Sequence, residues 1–243
     1  LDRGCYFGDG IYDATYCRNH IPFALDEHIE RFFEGAEIAK INIPQSKSQL
    51  RDLICDLVNK VDSSQQFIYW QATRKSGIRD HLFEQDCFAN IWIMLRHCPI
   101  KSKDTLYRLK STQDNRYKLC NIKTINLLPN ILALQEANCC GCNEVVFERD
   151  GVITECGHSN ICIIEEGALV CAPHNQYSLD GIAERHLKKA CASIGVAVVE
   201  REFCLPQLMR ADEVILTSSG ALCMKVESID KVKVGGKSSG LFE

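Results

Sequence analysis

Lys123 stands in the stretch Cys120-Asn121-Ile122-Lys123-Thr124-Ile125-Asn126, a lysine among apolar neighbours where the pattern over 121–124 reads as the end of a strand. An amine partly withdrawn from water gives up its proton more readily and can attack an aldehyde carbon. The same surroundings also suit a lysine that snorkels to solvent. Glu155 closes the apolar run Val152-Ile153-Thr154-Glu155, just before the turn Cys156-Gly157-His158-Ser159-Asn160. A carboxylate placed there can point into a cleft. Set against a pyridine nitrogen, it keeps that nitrogen protonated so that the ring accepts an electron pair. An ordinary turn, with Ser159 and Asn160 making local hydrogen bonds, uses the same residues.

Two further segments suit an anion. Leu179-Asp180-Gly181-Ile182-Ala183 directly precedes a helical pattern, and free N–H groups at a helix start attract phosphate; a plain capped helix start reads the same way. Thr217-Ser218-Ser219-Gly220 adds hydroxyls on a loop after the strand 213–216, a common loop composition. Near the start, Asp2-Arg3-Gly4-Cys5-Tyr6-Phe7-Gly8-Asp9-Gly10-Ile11-Tyr12-Asp13 packs three glycines and three aspartates among aromatics. Glycines at that density imply close backbone approach beside a pocket, or a glycine-rich hairpin. Arg79-Asp80-His81 puts two cationic side chains two residues apart, so on an extended segment they share a side and can converge on a carboxylate; a solvated charged turn has the same composition.

The elements that must position these residues mix helix and strand. Residues 25–43 read as a helix capped by Asp26, with Ile29, Phe32, Phe33, Ala36 and Ala39 on one stripe. A second helix follows over 47–61, then strands over 67–73 and 87–95. Pro99 and its polar neighbours read as a linker. Beyond it, a helix opens near Pro129, strands span 144–149, 152–155, 160–165 and 168–171, a helix spans 181–195, and a strand covers 196–203. The reading is a mixed α/β (α+β) chain with a small domain over 1–98, a linker over 99–103 and a larger domain over 104–243.

Composition narrows the classes. A net charge of -4 argues against a general nucleic-acid binder, which carries a basic excess. No apolar run approaches the roughly 20 residues that cross a bilayer. No leader pattern is visible, but Leu1-Asp2-Arg3-Gly4 already reads as mid-fold sequence, so targeting stays open. Fifteen cysteines, several inside apolar segments, suit reduced thiols in a cytoplasm. Cys139-Cys140-Gly141-Cys142 has metal-like spacing, yet no second ligand pair lies at a matching distance, so the expectation is free thiols and no metal.

Taken in order, Asp-Arg-Gly-x-x-Phe-Gly-Asp-Gly-x-Tyr, Ile-Lys-x-x-Asn and Thr-Glu-x-x-x-Ser-Asn resemble the pattern of fold-type IV pyridoxal phosphate (PLP) enzymes, from Leu1 to about Ile229. That class holds branched-chain aminotransferases, D-amino-acid aminotransferases and aminodeoxychorismate lyases. The resemblance implies a two-domain fold with PLP between the domains, and a homodimer. It implies Lys123 as the Schiff-base lysine and proton shuttle, and Glu155 as partner of the pyridine nitrogen. Arg31 matches the phosphate-binding arginine, although its spacing also fits a solvent-facing helix residue. Ile182 and Ala183 match backbone phosphate donors, with alanine where the family usually has threonine, and Ser218 and Ser219 match the second phosphate loop. Leu179 resembles the residue packed on the cofactor ring.

Within the class, Arg79 and His81, with Tyr12 and Tyr69 completing a polar trap, resemble the substrate-carboxylate site of D-amino-acid aminotransferases; branched-chain enzymes lack the pair. The expected reaction moves an amino group between a D-amino acid and a 2-oxo acid, of the D-alanine/2-oxoglutarate type. A branched-chain L-amino-acid aminotransferase, an aminodeoxychorismate-type lyase and a non-catalytic PLP-binding protein are the alternatives.

Overall fold

The computed structural model describes residues 1–84 and 86–242. The chain divides into two compact units, one of Leu1–Ile100 with Ile122–Leu127, the other of Lys101–Asn121 with Leu128–Glu243.

The first unit opens with the helix α1 (Arg3–Phe7), followed by the strands β1 (Gly10–Arg18) and β2 (Ile21–Pro22). The helices α2 (Leu25–Ile38) and α3 (Lys47–Lys60) come next, then β3 (Gln65–Thr73) and β4 (Asn90–His97). The strands form an antiparallel sheet in the order β2-β1-β3-β4. Alternation along β3 puts Ile68, Trp70 and Ala72 on one face, where Ile29, Phe32 and Ala36 of α2 and Leu50, Ile54 and Val58 of α3 complete the core. Opposite that face, Tyr12 of β1 stands in register with Gln71 of β3, and Ala14 with Tyr69.

Three local expectations change here. The glycine-rich block is a short helix and not a hairpin: Asp2 accepts from Gly4 N at 2.7 Å, and Gly8 closes α1 at φ 64°, a left-handed conformation that glycine adopts without strain. Asp26 caps nothing, because the N-cap of α2 is Ala24, itself left-handed; Asp26 instead accepts from Arg51. The same helix stops at Ile38 because Lys40 turns left-handed and Ile41 folds back into the core.

The segment Ile122–Leu127 packs with this unit, whereas chain order had placed it in the larger domain. It is a turn, not a strand end, touching β1 through one isolated bridge, Ile11 to Thr124. Tyr12 N donates to Lys123 O at 2.8 Å and Ile125 N to Gly10 O at 3.1 Å, while Ile122 joins the core.

The second unit begins with β5 (Tyr107–Gln113), α4 (Leu128–Cys139), β6 (Glu144–Arg149), β7 (Val152–Cys156), β8 (Asn160–Glu165) and β9 (Ala168–Cys171). It continues with α5 (Ile182–Ser193), β10 (Val198–Glu200), α6 (Leu205–Arg210), β11 (Glu213–Ser218), β12 (Leu222–Ile229), β13 (Val232–Lys233) and α7 (Ser239–Phe242). Its nine-stranded sheet runs β10-β9-β8-β11-β12-β5-β6-β7, with β13 on β12. The β5–β6, β5–β12 and β9–β10 pairs are parallel and the others antiparallel. The interior strands β8 and β11 are buried on both faces along five consecutive residues each, as apolar runs of central strands should be. The strand expected over 196–203 shrinks to three residues, because Phe203 leaves it for the core and Leu205 begins α6.

Candidate active site

The first unit gathers Lys123, Tyr12, Tyr69 and Arg31. The Lys123 ammonium lies 4.6 Å from the centre of the Tyr12 ring, and Tyr12 stacks on Tyr69 at 5.4 Å between centroids. Burial, with the neighbouring Tyr12, pushes the Tyr69 phenol up to about 12, so it stays a donor, and it donates to Gln71 Oε1 at 2.7 Å. Arg31 is buried, which removes the solvent-facing alternative. Its Nε and Nη2 donate to the two oxygens of Asp13 at 2.9 and 2.8 Å, and His28 Nδ1 meets Asp13 Oδ1 at 2.8 Å.

Burial alone would raise the Asp13 carboxyl, but the Arg31 charge and the His28 hydrogen bond hold it well below the usual carboxylate range. His28 moves down: burial, Arg31 and Lys123 together outweigh Asp13, which keeps the imidazole neutral near pH 7. Asp13 and His28 escaped the sequence reading. The available signal was the alternation of β1, which puts Asp13 on the buried face between Ile11 and Thr15.

Arg79 and His81 occupy a different part of the same unit. Both are exposed, and both rest on Phe7, the Arg79 guanidinium 5.0 Å and the His81 ring 5.1 Å from its centroid. An open cavity of about 360 Å³ beside them is lined by His81, Phe7, Arg3, Asp9 and Arg74 among others; Tyr12 and Tyr69 do not line it. The structure thus brings Arg79 and His81 together, and Tyr12 and Tyr69 together, as two clusters rather than one trap.

The second unit gathers Glu155, Leu179, Ile182, Ala183, Ser218 and Ser219. Glu155 ends its strand buried, its Oε1 receiving Arg116 Nη1 and its Oε2 receiving Leu179 N at 3.0 Å. Arg116 is locked in turn by Asp114, through Nε and Nη2 at 2.9 Å each, and by the Tyr177 carbonyl at 2.8 Å, while its plane covers Phe147 at 4.5 Å. Burial would lower the Arg116 pKa, but the hydrogen bonds and charges of Asp114 and Glu155 raise it further, so the cation is permanent. Asn160 Nδ2 donates to Leu179 O at 2.8 Å, which fixes the residue that leads into α5.

The α5 N-terminus has no side-chain cap: Gly181 stands at the N-cap position, and Ile182 and Ala183 form a buried first turn. Thr217 is in register with Asn160, and its Oγ1 is buried without a hydrogen-bond partner. Uncapped N–H groups at the start of α5 and an unpartnered buried hydroxyl on Thr217 are groups that suit an anion.

The fifteen cysteines are free; Cys139 and Cys140 are exposed at the end of α4 and Cys142 is buried. Cys162, Cys171 and Glu184 come within 4.8 Å of one another in the second unit. Glu184 is already neutralised there by Lys188 at 2.7 Å and His174 at 3.1 Å.

A family model described as amino-transferase class IV matches residues 10–229. The chain belongs to that family. A D-alanine aminotransferase of Bacillus licheniformis is 30% identical over 241 residues, 98% of this chain and 85% of the relative. Among solved structures, the branched-chain amino acid aminotransferase from Escherichia coli superposes with a TM-score of 0.89 at 21% identity, covering 98% of this chain and 82% of that one. A putative 4-amino-4-deoxychorismate lyase from Legionella pneumophila gives a TM-score of 0.89 at 20% identity, covering 99% and 91%. The enzyme is a fold-type IV aminotransferase, and its cofactor is PLP, whose amino form, pyridoxamine 5′-phosphate, accompanies another solved branched-chain aminotransferase of this fold (TM-score 0.86, 20% identity). The residues present suit that group: an amine beside an aromatic face, a carboxylate fixed by a permanent cation, and an uncapped helix start beside the unpartnered Thr217 hydroxyl. No helix among the described residues is long and apolar enough to cross a membrane.

Proposed function

We propose that the enzyme transfers an amino group between a D-amino acid and a 2-oxo acid, of the D-alanine/2-oxoglutarate type. The observation that carries this reading is that Arg79 and His81, two residues apart on one exposed loop, both rest on Phe7. The 30% identity to a D-alanine aminotransferase points the same way.

When bound, PLP supplies an aldehyde that carries the amino group between two substrates and a ring that accepts electrons. Lys123 would hold the cofactor through Nζ; once a substrate amine takes its place there, the freed Nζ would take the substrate α-proton and deliver it to the cofactor's C4′. Glu155 would hold the proton on the ring nitrogen, and Arg116 aims Glu155 through its Nη1 hydrogen bond. Arg31, fixed by Asp13, the Ile182 and Ala183 N–H groups, and the Ser218 and Ser219 hydroxyls grip the phosphate; Ala183 contributes no hydroxyl of its own. Leu179 packs against the ring. Tyr12 and Tyr69 stand with Lys123, and the separate pair Arg79 and His81 supplies the cationic groups for a substrate carboxylate. We assign the working form to a homodimer.

The test is a titration of the PLP-loaded enzyme with D- and L-alanine, following cofactor absorbance, together with borohydride reduction and peptide mapping. D-alanine converts the cofactor far faster than L-alanine, and the phosphopyridoxyl mass sits on Lys123. Arg79→Ala removes charge-assisted hydrogen bonds and lowers kcat/KM for D-alanine by roughly ten- to a hundred-fold. Fast L-leucine turnover unaffected by Arg79→Ala moves the enzyme to the branched-chain group, and steady turnover without an amino acceptor moves it to the lyases.

A further inference from the structure

Arg3 has no part in the chemistry above, yet it is buried, and each nitrogen of its guanidinium reaches an acceptor. Its Nε donates to Asp9 Oδ2 at 2.8 Å. Nη1 donates to Asp80 O at 2.5 Å and to Leu82 O at 3.3 Å, and Nη2 donates to His81 O at 3.3 Å. Three consecutive carbonyls of one exposed loop thus converge on a single guanidinium, and that loop carries Arg79 and His81 as side chains.

The support behind Arg3 is equally built. Arg74, also buried, takes Asp9 through Nε at 3.2 and 2.9 Å, so one carboxylate lies between two arginines. Arg74 donates to Ala39 O at 2.8 Å and covers the Phe83 ring at 3.7 Å, fastening the far end of the loop. The guanidiniums outweigh burial, so Asp9 is held below the usual carboxylate range and stays an acceptor. The main chain of Arg3 adds a bond from its N to Lys75 O at 2.9 Å. Four residues along the same helix, Phe7 is the ring on which Arg3, Arg79 and His81 all rest.

We propose that Arg3 is a specificity-positioning residue: its guanidinium, fixed by Asp9, grips the carbonyls of Asp80, His81 and Leu82 and so presents Arg79 and His81 as a preformed pair to a substrate carboxylate. The inference rests on the reading of Arg79 and His81 as the carboxylate binders. An exposed loop without this grip would lose its order between turnovers, and binding would have to restore that order each time. The grip needs a planar fork with several donors at fixed angles, which lysine lacks although it keeps the charge beside Asp9.

Arg3→Lys in the PLP-loaded enzyme separates positioning from folding, because the Asp9 pair survives. The expected result is a rise in KM for D-alanine of about ten-fold, the weight of one or two lost charge-assisted hydrogen bonds, with kcat changed less than about three-fold. Turnover of a primary amine without a carboxylate stays as in the wild type. Hydrogen exchange accelerates in the peptide spanning 78–84 and not in β1 or β3. Arg3→Lys added to Arg79→Ala costs less than it does alone. Unchanged KM and unchanged exchange in Arg3→Lys, alongside a raised KM in Arg79→Ala, overturn the role of Arg3 and leave the carboxylate site standing. Equal losses for D-alanine and the plain amine overturn it as well, since they mark a general folding defect. If Arg79→Ala itself leaves KM unchanged, the carboxylate reading fails, and the specificity role of Arg3 falls with it even where the loop loosens.

Discussion

Glu155, Arg116 and Asp114 form a buried chain of alternating charge, and its energetics follow from that burial. Breaking such a chain at its cation takes from both carboxylates the cation they share, a change that costs about 3–5 kcal/mol. Arg116→Met should therefore lower Tm by roughly 6–20 °C for a chain of this size. Glu155→Gln keeps a hydrogen-bonding group for Arg116, so it should bind PLP and stay folded while losing most of its rate. Thermal melts and turnover of both variants check the pair, and an Arg116→Met protein as stable as the wild type contradicts it. The Asp13–His28–Arg31 cluster makes a second prediction, about pH. His28 has a folded pKa below its unfolded value near 6.5, so the unfolded chain binds the extra proton as pH falls through that value, and stability declines. Asp13, also depressed, acts in the same direction below about pH 4: its contribution is complete above its unfolded pKa and is lost towards its folded one. One histidine contributes at most about 1.4 kcal/mol per pH unit. Urea midpoints between pH 7.5 and 5 should fall in the wild type and flatten in His28→Gln; parallel curves remove His28 from the account.

At the scale of elements, Gly181 is placed by space and not by backbone strain, since its φ is -76°. A Cβ there would stand 1.9 Å from Asn160 Oδ1. Gly181→Ala should cost about 1–3 kcal/mol as Asn160 is pushed aside, and loosen PLP retention because α5 moves with it. Adding Asn160→Ala should restore part of the stability; a double variant no better than the single one contradicts the steric reading. The strands from β6 to β9 were legible in sequence because apolar runs are punctuated by Asp150-Gly151 and Glu166-Gly167, whose left-handed backbone makes the turns. β1 was not, since its buried face carries Asp13 and Thr15, polar residues whose partners lie on α2 and in the turn after β2. Motif order singled out Lys123 and Glu155. It could not single out Arg116, whose partner Glu155 is 39 residues away, and it named Arg3 in a motif but gave it no role, since its loop partner His81 is 78 residues away. Such roles exist only once the sheet register has closed those distances.

At the scale of the molecule, each unit has its own core, with Trp70, Phe32 and Leu50 in the first and Phe203, Leu109 and Ile153 in the second. The chain does not visit them in turn. It leaves the first unit after Ile100, builds β5, comes back for six residues, and leaves again at Leu128. Lys123 rides on that excursion. A chain folded only as far as Ile100 therefore makes a unit lacking Ile122 in its core and two backbone bonds on β1. A fragment of 1–100 should be cut by protease faster than a fragment of 1–127, and equal lifetimes would show that the returning strap adds nothing. Cleavage between 101 and 121 would likewise leave Lys123 attached to the wrong product. Lys123 is thus mounted where an exchange with a relative at the first crossing, Ile100, separates it from Tyr12, the ring it faces, while one at Leu128 does not. Recombination at Ile100 would pair one parent's Lys123 with the other's Tyr12, so chimeras of this fold are constrained by a seam that a linear domain map does not draw.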